Sequence, residues 1–204
     1  GYGRLVLGAD GTLDRIVEHK DANDAEGAIG LANSGVMAID GSMVWGLLDR
    51  LDNENAKGEF YLTDIVAFAR QDGRRCAVVE APAEELLGVN SRSELAAAEA
   101  LFQTRARMAA MQNGATLIDP ASVFFAADTT IGRDVVIGPN VQFGPGVVIA
   151  DNVEIRAFCH IEGARTDSGA TVGPFARIRP RSTIGAGAHV GNFIELKGTE
   201  LGAG

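Results

Sequence analysis

From residue 131 onward the chain repeats with a period of six. Ile131, Ile137, Phe143, Ile149, Ile155 and Ile161 keep the count. After one hexad that is a residue short, it resumes at Val172, Ile178, Ile184, Val190 and Leu196. The next residue is often glycine (Gly132, Gly138, Gly144, Gly173, Gly185, Gly191). The residue four after is small or apolar: Val135, Val141, Val147, Val153, Cys159, Ala176, Ser182, Ala188. A strand alternates every two residues and an α-helix returns every 3.6, so neither alone makes six. A short strand plus a turn does. The rhythm predicts a parallel β-helix in which each hexad is one wall and three hexads, about 18 residues, close a triangular coil. The apolar residue points inward and stacks on its counterpart about 4.8 Å away in the next coil. An ordinary antiparallel sandwich does not account for this period.

The rest of the chain has other textures. Ser91-Arg92-Ser93-Glu94 reads as the cap of a helix over 91–113, closed by Asn113-Gly114. At 1.5 Å per residue it would be roughly 30 Å long. Leu95, Leu101, Met108 and Met111 form no continuous stripe, so it reads as an arm joining two domains. Before it, Arg4–Leu7 and Arg15–Glu18 flank Asp10-Gly11, a hairpin signal. A short helix is predicted over about 23–31, and strands at Val36–Ile39 and Cys76–Val79. Ser42 is placed as the cap of a helix through Trp45, Leu48 and Leu51, and Thr63 as the cap of one through Ile65, Val66 and Phe68. This alternation suggests a sandwiched α/β sheet. The expected organisation is a first domain over 1–90, a linker helix over 91–113 and a β-helix over 114–204. The pattern runs unbroken to both ends, and the chain is expected to be an excerpt of a longer protein.

Composition narrows the function. The 204 residues include 26 glycines without a G-X-Y period, so the glycines serve turns. With 46% apolar and 22% charged residues, disorder is not expected. No apolar stretch approaches about 18 residues, so no membrane span is expected. The formal charge of −9 argues against nucleic-acid binding, which needs a basic footprint. It leaves room for a small anion held by a local basic cluster. Cys76 and Cys159 are too few for a disulfide framework. They read as reduced, buried residues of a cytoplasmic protein.

The repeat yields a candidate site. Arg179 and Lys197 stand where glycine usually does, 18 residues apart, at equivalent places on adjacent coils. Two cations about 5 Å apart repel by roughly 1 kcal/mol in water, and an anion between them reverses that sign. With Arg177 and Arg181 nearby, the cluster fits a phosphate. A solvated basic face is the alternative reading. In the first domain Glu18, Asn33 and Asn90 lie at strand or helix ends, where they suit ligand hydroxyls and amides but also serve as turn and cap residues. His19, His160 and His189 show no metal-ligand spacing, and the last two read as surface residues. No Ser-His-Asp or Cys-His constellation assembles, and Gly1-Tyr2-Gly3 is too weak for a phosphate loop.

Several segments occur in a telling order: Gly1-Tyr2-Gly3-Arg4, Ile16-Val17-Glu18-His19-Lys20-Asp21-Ala22, Asn33-Ser34-Gly35, Gly58-Glu59-Phe60-Tyr61-Leu62-Thr63-Asp64 and Gly88-Val89-Asn90-Ser91-Arg92. The helical arm follows, then hexads with Gly173-Pro174-Phe175-Ala176-Arg177-Ile178-Arg179-Pro180 and His189-Val190-Gly191-Asn192-Phe193-Ile194-Glu195-Leu196-Lys197. Together these resemble the bacterial bifunctional N-acetylglucosamine-1-phosphate uridyltransferase/glucosamine-1-phosphate acetyltransferase family, over essentially the whole chain. The resemblance implies part of a Rossmann-like nucleotidyltransferase domain, a connecting helix, and a left-handed parallel β-helix of hexapeptide repeats. It implies a cytoplasmic homotrimer that acetylates glucosamine 1-phosphate with acetyl-CoA. The same enzyme then joins the product to UTP with Mg²⁺, giving UDP-N-acetylglucosamine and pyrophosphate for peptidoglycan and lipid A synthesis. By the same resemblance Gly3, Glu18, Asn33 and Asn90 bind the sugar nucleotide, Asn90 also holds Mg²⁺, and Arg179 and Lys197 bind the acetyl acceptor. The family's UTP loop, its Mg²⁺-sharing Asp and its acetyl-transfer His fall outside the chain, so the excerpt alone is expected to be inactive. Two alternatives stay open: another sugar-1-phosphate nucleotidyltransferase with a regulatory β-helix, and a non-catalytic scaffold of the same architecture.

Overall fold

The hairpin predicted around Asp10-Gly11 forms: β1 (Arg4–Leu7) pairs antiparallel with β2 (Leu13–Val17). The computed structural model describes residues 2–204, so Gly1 of the opening motif lies outside the described residues. The chain divides into two units, one ending at Gly88 and the other spanning Val89–Gly204, and each is described by itself. In the first, three short helices follow the hairpin: α1 (Asp24–Gly27), α2 (Val44–Leu48) and α3 (Ile65–Gln71). Leu5, Leu13, Ile16 and Val66 form its core, with Leu47, Ile65 and Ala69 in a second cluster. Asp10 ties the hairpin down. The Thr12 side chain and backbone and then Arg70 donate to its carboxylate, which holds its pKa down to about 2.

The sandwiched α/β sheet expected here is not observed. The only sheet among the described residues of this unit has two strands. Residues 36–39 and 76–79 form no strand, and Val36 and Val79 are exposed. A strand needs a backbone partner along its length. Among the described residues the segment at 31–33 meets the start of the hairpin in a single bridge, through the bonds Leu5 N–H to Leu31 O and Asn33 N–H to Gly3 O. Cys76 O accepts one bond, from Leu13 N–H, and its thiol is half-buried rather than buried. Ser42 and Thr63 do not cap their helices; the cap positions fall on Met43 and Asp64.

The second unit opens with α4 (Arg92–Gln112), whose cap is Ser91 as predicted, with its hydroxyl accepting from Glu94 N–H. Short strands then follow at regular intervals: β3 (Thr116–Leu117), β4 (Thr130–Ile131), β5 (Val136–Ile137) and β6 (Gln142–Phe143). The next coils carry β7 (Val148–Ile149), β8 (Glu154–Ile155), β9 (His160–Ile161), β10 (Ala164–Thr166), β11 (Thr171–Val172) and β12 (Arg177–Ile178). The last are β13 (Ser182–Ile184), β14 (His189–Val190), β15 (Glu195–Leu196) and β16 (Glu200–Leu201). From β4 onward every third strand pairs in parallel, and β3 pairs with β5, giving three walls ordered β16-β13-β10-β7-β4, β14-β11-β8-β5-β3 and β15-β12-β9-β6. The result is a parallel β-solenoid of about five coils, of the left-handed type.

The register matches the sequence period. Ile131 lies beside Ile149, Ile137 beside Ile155 and Phe143 beside Ile161. All the six-fold residues from Ile137 to Val190 are buried, as are Val141, Val147, Val153, Cys159, Ala176, Ser182 and Ala188 four after them, whereas Arg165 and Ile194 at that place are exposed. The short hexad has a definite solution: Thr166 takes the inward place between Ile149 and Ile184. Its hydroxyl is buried without a hydrogen-bond partner. The repeat also starts earlier than residue 131, because Leu117 stacks on Ile137 and Phe125 on Phe143. At one corner Phe158, Phe175 and Phe193 adopt positive φ and stack in turn, with ring centroids 4.9 and 5.1 Å apart. That conformation is costly for a bulky residue, and face-to-face contact along the column offsets it.

The long helix is more than an arm. Ala106, Ala110 and Met111 pack on the solenoid core, and Gln103 is buried. Its amide donates to Phe125 O (2.7 Å) and its carbonyl accepts from Phe125 N–H (2.9 Å). Arg107 donates to Val123 O at 2.8 Å. The helix thus supplies side-chain partners to backbone groups near the start of the solenoid, groups that are costly when left unpaired. Gln103→Leu, which keeps the volume and removes both bonds to Phe125, should destabilise the protein by about 2 kcal/mol or more in a urea titration. A change near zero would mean that water replaces the amide there.

Candidate functional site

One wall of the solenoid carries the predicted cations. Its strands β6, β9, β12 and β15 place the residues after the inward position in one column: Gly144, Glu162, Arg179, Lys197. The backbone sets that column, since Glu162 N–H donates to Ile178 O and Arg179 N–H to Leu196 O, at 2.9 and 2.8 Å. This wall also has room for side chains. A Cβ on Gly138, in another wall, would sit 2.7 Å from the backbone nitrogen of Ala157, whereas one on Gly144 would meet the Glu162 side chain at 3.0 Å. Glycine is therefore dictated by the backbone at the first place and not at the second.

Arg179 and Lys197 occupy adjacent coils in register, as the period predicts. The guanidinium is not waiting for a ligand, however. Arg179 Nη1 donates to Glu195 Oε1 at 3.1 Å, and Arg177 Nε lies 3.9 Å from the same oxygen. Arg177 Nη1 also meets His160 Nδ1 at 3.0 Å. His160 is half-buried and His189 is exposed. Arg181 sits at a corner with positive φ, its N–H bonded to Gly163 O. The cluster is thus mixed: Arg177 and Arg179 face the Glu195 carboxylate, which the cation pattern alone did not reveal. The signal for it was the alternation of the strand, because Glu195 and Lys197 flank the inward Leu196. Arg179 and Glu195 are both well exposed, 38% and 55% of their side chains. A pair so open to water is worth little, and a phosphate monoester can compete with it.

The first unit gathers three of the four other predicted residues. Gly3 and Glu18 flank the paired ends of β1 and β2, and Asn33 N–H donates to Gly3 O at 2.8 Å. A Cβ on Gly3 would stand 3.4 Å from Glu18 Oε1 and 3.0 Å from Ile16 Cγ2. Glu18 Oε1 accepts from the buried Thr63 hydroxyl at 3.1 Å. Asn33 Oδ1 accepts from Gly35 N–H at 3.2 Å, the turn role that competes with ligand binding. The surroundings are acidic. Burial pushes the Asp64 carboxyl up, and the charges of Asp52, Glu18 and Asp21 add to the rise. Asn90 belongs to the other unit; its N–H donates to the Glu94 carboxylate at 2.6 Å, and the residue is exposed. One amide does not make a Mg²⁺ site, and no group of three metal-ligating side chains occurs among the described residues. Nor is any helix among them long and apolar enough to cross a membrane.

Comparison with known proteins matches both halves. The bacterial transferase hexapeptide family (six repeats) matches residues 128–163. Proteins named bifunctional protein GlmU are similar along the full chain. The one from Paramagnetospirillum magneticum is 61% identical over 203 residues, that from Paracoccus denitrificans 55% over 203, and that from Roseobacter denitrificans 54% over 204. Each comparison takes in 100% of this chain and 45% of the relative.

If the Arg179–Glu195 pair is as replaceable as its exposure implies, Glu195→Gln should change the unfolding free energy by less than about 1 kcal/mol. A loss of about 3 kcal/mol or more, as for a buried pair, would mean that the carboxylate holds the coils together and that no anion displaces it.

Proposed function

Because the chain belongs, along its whole length, with the bifunctional GlmU proteins, we propose that it is a segment of an enzyme with two linked transfer activities. The chain spans about 45% of those relatives' length, so the reading concerns the full-length protein. In the first reaction the amine of glucosamine 1-phosphate attacks the thioester carbonyl of acetyl-CoA; the amine loses a proton and CoA leaves as the thiol. In the second, the phosphate of N-acetylglucosamine 1-phosphate attacks the α-phosphorus of UTP, giving UDP-N-acetylglucosamine and pyrophosphate. The protein is a cytoplasmic homotrimer in this reading.

The observation that carries the proposal is the stacking of Arg179 on Lys197 in one wall of the solenoid. Two cations on a rigid backbone suit the phosphate of the acetyl acceptor, and binding the phosphate holds the amine in place for attack. Glu195 keeps Arg179 extended along the wall until the phosphate arrives. Gly3, Glu18 and Asn33 serve the second reaction, with the Glu18 carboxylate accepting from sugar hydroxyls and Gly3 letting the sugar approach the backbone. Asn90 contacts the nucleotide sugar in this reading, and its amide oxygen would be one ligand of a Mg²⁺ ion whose other ligands this chain does not supply; such an ion would neutralise phosphate charge. No residue of this chain is assigned as the base for acetyl transfer.

In the full-length protein, Lys197→Glu should raise the KM for glucosamine 1-phosphate by about tenfold to a hundredfold, the loss of one charge-assisted bond plus repulsion. Uridylyl transfer, assayed separately, should be unchanged. An unaltered acetyl transfer would contradict the acceptor assignment and favour a regulatory or scaffolding solenoid.

A further inference from the structure

Thr63 is buried at the head of α3, yet it does not cap the helix. Neither the turn at Leu62–Asp64 nor the helix that follows has a side-chain cap. The hydroxyl instead donates to Glu18 Oε1 at 3.1 Å, across 45 residues of sequence. Glu18 directly follows β2, in a neighbourhood that also holds Asp21, Asp52 and Asp64. A carboxylate among like charges tends to swing toward water. A neutral donor fixes it without cancelling the charge that makes it a good acceptor.

We propose that Thr63 is a positioning residue of the sugar-nucleotide site: its hydroxyl holds Glu18 Oε1 beside the bare backbone of Gly3 and leaves Oε2 free for a sugar hydroxyl. This rests on the reading of Glu18 as the sugar-binding carboxylate. The freedom lost by a glutamate side chain on binding is then already lost in the free protein, so the hydroxyl acts on substrate affinity. Valine at 63 fills the same space without the donor, and serine keeps the donor with less volume.

The test uses the full-length protein and steady-state uridylyl transfer with N-acetylglucosamine 1-phosphate. Thr63→Val should raise the KM for this sugar phosphate about tenfold while kcat changes less than about twofold, the size of one hydrogen bond to a charged group. Thr63→Ser should restore most of the affinity, and acetyl transfer should be unaffected by both. In a Glu18→Ala background Thr63→Val should add nothing, because the hydroxyl acts only through the carboxylate. Three outcomes overturn the proposal: Thr63→Val matching the wild type, Thr63→Ser as impaired as Thr63→Val, or both activities falling together. Glu18→Ala with an unchanged KM would instead overturn the reading of Glu18 itself, which separates the two failures.

Discussion

Everything in the second unit depends on backbone pairing between coils. Each wall strand is only two or three residues long and could not persist alone. Its partner in the next coil accepts from the residue after the inward aliphatic: Gly132 N–H to Ile149 O, Gly138 N–H to Ile155 O and Gly144 N–H to Ile161 O, each at 2.8 Å. Those same aliphatic side chains are withdrawn from water by the coil above and the coil below, at about 1.5–3 kcal/mol for each fully buried one. Hydrogen bonds set the register and burial supplies the stabilisation, so a side chain's neighbours in adjacent coils are fixed by counting. The site inherits this rigidity, because no loop positions Arg179 relative to Lys197.

That rigidity explains which parts could be read from the amino acids. The solenoid is local in its logic: period, inward residue and glycine position are visible within a window of six. The hairpin and the Ser91 cap are local too. What escaped notice is non-local or breaks the pattern. Thr166 hides in the short hexad because a hydroxyl is not expected at an inward place. Gln103 looks like any polar helix residue until the helix lies on the solenoid and its amide meets the backbone of Phe125. The expected strands near Val36 and Val79 have the right composition, but no partner strand runs along them among the described residues. Thr63 has the residue type and the place of a cap, and only the fold reveals that Glu18 takes its hydroxyl.

The candidate site was legible as a juxtaposition and not as a charge balance. Counting in eighteens brings two cations together. It says nothing of Glu195, which reaches Arg179 from the neighbouring coil. The carboxylate changes the physical picture. Two bare cations would repel and destabilise the wall, whereas the paired arrangement is stable without ligand and exchanges one acceptor for another when a phosphate arrives. An exposed ion pair is suited to that exchange because its own stabilisation is small.

The most direct test is a double-mutant cycle on glucosamine 1-phosphate binding to the full-length protein, followed by calorimetry with Arg179→Ala, Lys197→Ala and the variant carrying both. If one phosphate is clasped by both side chains, the losses are coupled, and the double variant binds more tightly than the sum of the single losses requires, by about 1 kcal/mol or more. Losses that simply add, or a single variant that binds like the wild type, would show that the two cations do not share a ligand.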